Sequence, residues 1–238
     1  ALPIYRAIGD KLGEANCIKS LGDVHTRLSE LPEARARYEE ALPIYRAIGD
    51  KLGEANCIKS LGDVHTRLSE LPEARARYEE ALPIYRAIGD KLGEANCIQS
   101  LGDVFKEEKA FALALQKYEQ ATDLYRFISP SNEAYGFNAI ADLYDEQKDY
   151  PKAIAAYARA LELFPEHVFI WRNRAYQYLK LKDELNASQD IEQAARLQPD
   201  NAYLFLRRGQ LALLRDEYDE ALAHFQAALE RYPRMNDA

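Results

Sequence analysis

Residues 1–40 and 41–80 are the same forty residues written twice, and residues 81–98 begin a third copy that first departs at Gln99, where the others carry Lys19 and Lys59. Nothing else in the chain constrains its fold as tightly. Each position of a globular core has its own neighbourhood, so one sequence cannot serve three places in it. In a stack each unit meets copies of itself, and repetition is no obstacle.

The periodicity inside one copy is helical. Ile18, Leu21, Gly22 and His25 fall at i, i+3, i+4 and i+7 on one face, and Ala34, Tyr38 and Ala41 fall at i, i+4 and i+7 on a second helix. Between them, Pro32 suits the first turn of the second helix, where its missing N–H costs nothing. Gly49 supplies a left-handed stop, and Asp50 can cap the next helix. Each unit therefore reads as helix, tight turn, helix, tight turn. Pro43 and Pro83 fall inside second helices, where a bend is expected.

The pattern outlasts the verbatim copying. Ala34, Ala74, Ala114, Ala153, Ala187 and Ala221 form one column, and Tyr38, Tyr78, Tyr118, Tyr157, Ile191 and Phe225 follow four residues on. Ala41, Ala81, Ala121, Ala160, Ala194 and Ala228 come three residues later. Small residues let two helices approach, and the bulky residue between them fills the groove. The stretch from Asn138 to Pro165 adds Ile140, Ala141, Tyr144 and Tyr150. The last two units contribute Trp171, Ala175, Tyr178 and Pro199, then Gly209, Tyr218 and Pro233.

On these residues the chain resembles the tetratricopeptide repeat family. The resemblance implies an all-α, right-handed superhelical solenoid of antiparallel helix pairs. Its expected divisions are residues 1–14 as the trailing half-helix of a truncated repeat, 15–133 as three long repeats and 134–238 as three thirty-four-residue repeats, in one continuous solenoid. A start inside a repeat without an initiator methionine reads as a fragment. The long repeats carry Arg46, Arg86 and Arg126 where the family closes with proline. In this they resemble the forty-residue class of Pins-type polarity adaptors and of the sensor arms of large signalling ATPases.

Composition excludes several functions. The net charge of −8 is spread so that each successive block of about forty residues carries −1 or −2, leaving no basic patch to replace counterions on nucleic acid. No apolar run has the length of a membrane span. Cys17, Cys57 and Cys97 lie forty residues apart, which is no ligand spacing, and read as small core residues. Free thiols suit a reducing, cytoplasmic compartment. His25 and His65 share a column with Phe105, Tyr144 and Tyr178, so packing is expected of them and no metal site. The "GDKLGE" stretch lacks the lysine and hydroxyl of a phosphate loop, and "NAS" at Asn186 is a chance sequon. No catalytic constellation and no cofactor motif emerge, so no enzyme is expected.

In this family the flank of each first helix opposite the packing face would line a concave groove. One column there runs Asn16, Asn56, Asn96, Tyr135, Phe169, Tyr203. A second runs Lys19, Lys59, Gln99, Asn138, Arg172, Leu206, and a third Asp23, Asp63, Asp103, Asp142, Tyr176, Gln210, with Asn173 and Arg207 beside the last two units. Lys19 and Asp23, four apart, can equally pair with each other. The first half is polar and repetitive, and the second half is aromatic with arginines among the rings, the usual anchors of protein interfaces. Only parts of the carboxylate clamp of chaperone-binding relatives are present. The expectation is a non-enzymatic scaffold holding a protein or peptide partner in the groove, with most affinity from the second half. A sensor arm of a signalling ATPase and a self-assembling structural module are the alternatives. Leu2, Ile4, Tyr5 and Ile8 make the truncated N-terminal helix the expected site of any end-to-end self-association.

Overall fold

The turns decide where each helix begins and ends. In the structure, a computed structural model that describes residues 1–231, the Asp10, Asp50 and Asp90 carboxylates accept the backbone N–H of Gly13, Gly53 and Gly93 at 2.8, 3.0 and 2.9 Å. Each satisfies one donor that a helix N-terminus leaves open. Gly9, Gly49 and Gly89 take the left-handed conformation that stops the preceding helix, with φ of +71°, +75° and +74°. The turn inside each pair is also left-handed but is not built from glycine. Ser29, Ser69, Lys109, Lys148, Lys182 and Asp216 hold φ between 58° and 62° at the equivalent position of six successive units. A side chain there costs roughly 1 kcal/mol, which the flanking helix contacts outweigh.

The described residues form thirteen helices and no strand, and the chain divides into two compact units, Ala1–Ile128 and Ser129–Ala238. In the first, α1 (Leu2–Ile8) precedes three pairs: α2 (Lys11–Arg27) with α3 (Leu31–Ile48), α4 (Lys51–Arg67) with α5 (Leu71–Ile88), and α6 (Lys91–Glu107) with α7 (Phe111–Arg126). The second holds α8 (Pro130–Glu146) with α9 (Tyr150–Leu163), α10 (Val168–Lys180) with α11 (Glu184–Leu197), and α12 (Ala202–Leu214) with α13 (Tyr218–Arg231). Within each unit the helices pack in chain order, each against its pair partner and then against the next pair. The all-α expectation holds. Pro233 lies outside the described residues. The helices holding Pro43 and Pro83 each run as one element, with both prolines on the exposed side. Glu39 and Glu79, whose carbonyls lose a donor to those prolines, are exposed as well.

The alanine–aromatic–alanine columns make the core. Ala34, Ala74, Ala114, Ala153 and Ala187 are fully buried, and Tyr38, Tyr78, Tyr118 and Tyr157 almost so. Gly22, Gly62 and Gly102 exist to admit the tyrosines: a Cβ on Gly62 would lie 2.6 Å from Cε1 of Tyr78. Gly53 stands in the same relation to Tyr45, whose ring fills the space a Cβ would take. Gly53→Ala is therefore expected to destabilise the chain by roughly 1–3 kcal/mol, the scale of overpacking, although alanine is the better helix former by up to about 1 kcal/mol. A urea midpoint that rises in this variant would mean that the Tyr45 ring has room to move.

Two of the arginines that replace the closing prolines, Arg46 and Arg86, reach into the next pair. Arg46 Nε donates to Glu54 at 3.0 Å and its Nη2 to Glu80 at 2.6 Å, while Lys51 adds a second contact to Glu54 at 2.7 Å. Arg6 with Lys11 holds Glu14, and Arg86 with Lys91 holds Glu94, in the same way. These carboxylates are nearly buried, and donation from the lysine and arginine holds the pKa of Glu54 below the usual carboxylate range. A depressed carboxylate contributes stability above its unfolded pKa and loses it as pH falls through the folded one. Melting temperature should therefore drop as the pH goes below the ordinary glutamate range, and Glu54→Gln with Glu94→Gln should flatten that drop. An acid limb of unchanged steepness in the double variant would place the pH dependence elsewhere.

Candidate functional site

The outward flank of the first helices carries the polar columns in the first unit, and their acceptor oxygens are already engaged. Tyr45 donates its hydroxyl to Asn16 Oδ1 at 2.7 Å, Tyr85 to Asn56 at 2.8 Å and Tyr125 to Asn96 at 2.6 Å. Tyr38, Tyr78 and Tyr118 donate in turn to Asp23, Asp63 and Asp103 at 2.8, 2.8 and 2.6 Å. Lys19 and Lys59 bridge both oxygens of Asp23 and Asp63, so the internal pairing of these columns is real. Asp103 has glutamine, not lysine, four residues before it, and burial pushes its carboxyl up. The first unit thus presents a ladder whose orientation is set from below by phenols. Each asparagine amide has its oxygen engaged by a phenol, which leaves the NH2 as its remaining hydrogen-bonding group.

In the second unit the same flank changes chemistry. Asp142 still accepts from Tyr157 at 2.5 Å and from Asn138 Nδ2 at 3.0 Å, and Asn173 hydrogen-bonds Tyr157. Beyond it the guanidinium of Arg172 lies 4.7 Å from the Phe169 ring and 4.3 Å from the Tyr203 ring, stacked between helices α10 and α12. Arg207 lies 4.1 Å from the Tyr176 ring, and Lys180 sits 4.7 Å from the same ring. The edge of Tyr135 meets His167 at 5.5 Å between centroids, and His167 also packs edge-on to Phe164 and Phe169. Next to the Arg207 stack opens a pocket of about 330 Å³ lined by Tyr176, Leu179, Lys180, Gln210, Leu213 and Leu214. Tyr135 and Phe169 are exposed, while Tyr176 and Tyr203 are half-buried.

Two features here have no counterpart in the sequence pattern. Arg207 makes no ion pair among the described residues: its Nη1 donates to the Gln210 amide at 2.8 Å, and its buried Nε has no partner. Burial, with the nearby charge of Arg172, pushes its pKa down to about 10. Arg174, one position past the expected Asn173, turns the other way and grips buried Asp190 with two bonds of 2.8 Å. That pair ties α10 to α11 and takes no part in the flank. Neither Lys180 nor His167 is marked by the sequence pattern. His25 and His65 contact Glu30 and Glu70 through Nδ1 at 2.6 and 2.5 Å, and among the described residues no three ligand-type side chains gather into a metal cluster.

Patterns described as tetratricopeptide repeat match residues 15–48, 49–126, 134–167 and 185–236. The chain belongs to the tetratricopeptide repeat family, and as such it is a non-catalytic protein-interaction module. It is 32% identical over 94 residues to Hsp70-Hsp90 organizing protein 3 of Arabidopsis thaliana, covering 40% of this chain and 17% of that protein. Over 60 residues it is 35% identical to the human mitochondrial import receptor subunit TOM70, covering 25% of this chain and 10% of the other. The chain therefore spans less than a fifth of either relative. Among solved structures it resembles PilF of Pseudomonas aeruginosa, with a TM-score of 0.70, 18% identity and coverage of 95% of this chain and 96% of that one. BtubC from P. vanneervenii follows the same path with a TM-score of 0.61, 18% identity and coverage of 98% and 85%. At such identities the likeness shows the fold alone. No helix among the described residues is long and apolar enough to cross a membrane.

A buried cation with no acid beside it costs stability in the free protein. Because the folded pKa of Arg207 is below its ordinary value, the cost is fully present at neutral pH and is relieved only as pH rises through about 10. The shift corresponds to roughly 3 kcal/mol, offset in part by the stack on Tyr176, worth about 1–2 kcal/mol. Arg207→Met should therefore raise the stability of the unliganded chain by about 1 kcal/mol at neutral pH, read from the urea midpoint. Destabilisation by as much would show that the arginine stem is needed for packing.

Proposed function

We propose that the chain is a scaffold that holds a protein or peptide partner along the flank of its first helices, with the second unit carrying most of the affinity. The observation behind this is the arginine cluster. Arg172 and Arg207 are held flat against Phe169, Tyr203 and Tyr176, and Arg207 has an amide but no acid for company. A guanidinium immobilised by stacking has already lost its rotamer freedom, so less entropy is lost when a carboxylate approaches it. The adjoining pocket of about 330 Å³ suits an apolar side chain. The favoured ligand is therefore a segment with an acidic group next to a bulky apolar residue. Asn16, Asn56 and Asn96 in the first unit would offer amide donors to a peptide backbone, each contributing little net energy after desolvation.

Two of the relatives, named for organising Hsp70 with Hsp90 and for receiving mitochondrial imports, are consistent with a protein ligand. The free thiols support a reducing, cytoplasmic setting. Self-association through the N-terminal end is favoured as a second property by the exposure of Ile4 and Ile8. Light scattering with rising concentration, with and without Ile4→Glu, tests it.

With a partner captured by pull-down, Phe169→Ala together with Tyr203→Ala should weaken binding by roughly 2–4 kcal/mol in calorimetry, the scale of hot-spot truncation. Asn16→Ala with Asn56→Ala should cost less than half of that. If the asparagine pair proves the more damaging, the polar ladder is the reading site and the ranking reverses.

A further inference from the structure

From Ala81 to Val104 the third copy matches the second residue for residue except at position 99, where glutamine replaces lysine. The exchange sits on the outer flank of α6, and the two earlier copies show what it removes. Lys19 Nζ reaches both oxygens of Asp23 at 3.0 Å, and Lys59 Nζ reaches those of Asp63 at 3.0 and 2.9 Å. In the third copy the acid has stayed and the ammonium has gone.

Two acceptors are left unmet. Asp103 Oδ1 accepts from Tyr118 at 2.6 Å, and among the described residues its other oxygen has no hydrogen-bond partner. Burial raises this carboxyl against the hydrogen bond from Tyr118, and Lys106, Lys59 and Asp63 act on it only through space. The amide of Gln99 ends one atom short of where a lysine nitrogen would lie, and its buried Oε1 has no donor. Both residues are half-buried, so a ligand can reach them from outside. Four residues apart, they share one face of the helix and lack the one donor group that the neighbouring copies supply.

We propose that Gln99 and Asp103 form a subsite for a primary ammonium, the side-chain end of a lysine in the bound partner. Resting on the reading that a partner lies along this flank, the subsite adds what the first unit selects in it. An ammonium carries three donors on one nitrogen, enough to serve the Asp103 carboxylate and the Gln99 oxygen together, and the vacated space is that of lysine's last atom. A guanidinium is planar and broader than that space. Calcium would take about six or more oxygens, which two side chains do not supply. On α2 and α4 the acid is already satisfied by its own chain, so a lysine of the ligand gains nothing there. Tyr118 holds Asp103 in place beforehand, which lowers the ordering cost of binding.

The probe is n-butylammonium chloride, with tetramethylammonium chloride at equal concentration as the cation that has no N–H to give. Carboxyl-carbon NMR signals of the labelled chain follow each aspartate separately. Butylammonium should move the Asp103 signal along a saturating curve and lower its titration midpoint toward the ordinary aspartate value, while Asp23 and Asp63 stay in place. Tetramethylammonium should do neither. Gln99→Lys restores the residue of the first two copies, and so keeps the fold; it should make Asp103 behave as Asp63 does and remove the response to butylammonium. An Asp103 signal that moves equally with both cations, or a butylammonium response that survives Gln99→Lys, overturns the proposal. With a partner captured by pull-down, Gln99→Lys should weaken binding roughly tenfold or more, because an ion pair is lost and like charges meet. Replacing the partner's lysines in turn should find one whose loss costs as much and adds nothing further in the Gln99→Lys chain. Equal affinity of the partner for both chains also overturns the proposal. Binding that survives Phe169→Ala with Tyr203→Ala but not Gln99→Lys would remove the ranking of the second unit and leave this subsite standing.

Discussion

The rest of the first unit depends on one contact, a tyrosine ring lying against a glycine. Tyr38, Tyr78 and Tyr118 fit only because Gly22, Gly62 and Gly102 have no side chain, and Tyr45 and Tyr85 fit against Gly53 and Gly93 for the same reason. The contact fixes how closely the two helices of a pair approach, and how closely one pair approaches the next. It also delivers the phenol hydroxyl to the far side of the first helix, where it must find an acceptor. Asp23 and Asn16, with their repeats, are those acceptors. The packing and the chemistry of the outer flank are therefore one arrangement, since the polar residues on that flank complete the hydrogen bonding of the core.

This coupling explains why the two halves of the flank differ in what they can offer. In the first unit, replacing an asparagine or aspartate would strand a buried phenol, so these columns are held by the fold itself. A residue under that constraint is a poor candidate for tuning toward a ligand. In the second unit the tie is looser. Ile191 stands where the tyrosines stood and has no hydroxyl to satisfy, so the position facing it on the flank is released, and Tyr176 occupies it. Phe169 and Tyr203 likewise replace asparagines that served a phenol in the first unit. Release from an internal partner is what allows aromatic and arginine residues to gather there.

The pairs, their boundaries and the buried columns were legible because each signal recurs at a fixed spacing. Ala34, Tyr38 and Ala41 in one unit would be a weak pattern, but six successive instances leave little else. The turn at Ser29 and its equivalents was not legible, because serine, lysine and aspartate carry no mark of a left-handed conformation. The role of Arg46 could have been found. Arginine precedes glutamate by eight residues at Arg6, Arg46 and Arg86, and that constant offset across a turn is itself a pairing signal. So is the offset of fifteen between Asp23 and Tyr38, which holds through Asp142 and Tyr157. The stacks of Arg172 and Arg207 occur once each, so the sequence placed them on the flank and could say nothing of which ring each would meet.

Repetition and divergence leave different residues of strain. The first unit copies one solved packing, and its buried charges Glu14, Glu54 and Glu94 each keep two cations. The second unit has drifted, and its polar groups are less well matched. Gln177 is buried in the column that holds Val64, Val104, Leu143 and Leu211, and neither atom of its amide has a partner. Such a group costs about 1–3 kcal/mol, and the desolvated Arg207 adds to it. A stack tolerates these costs because each unit is braced by its neighbours, so a poorly satisfied repeat is carried by better ones. Arg207 and its rings lie on the outer flank, where the proposed ligand would supply the missing acid. Gln177 lies beneath, where none can reach. On the proposed reading only the first of these two defects is repaired by binding, and that difference would separate a site from a scar of divergence.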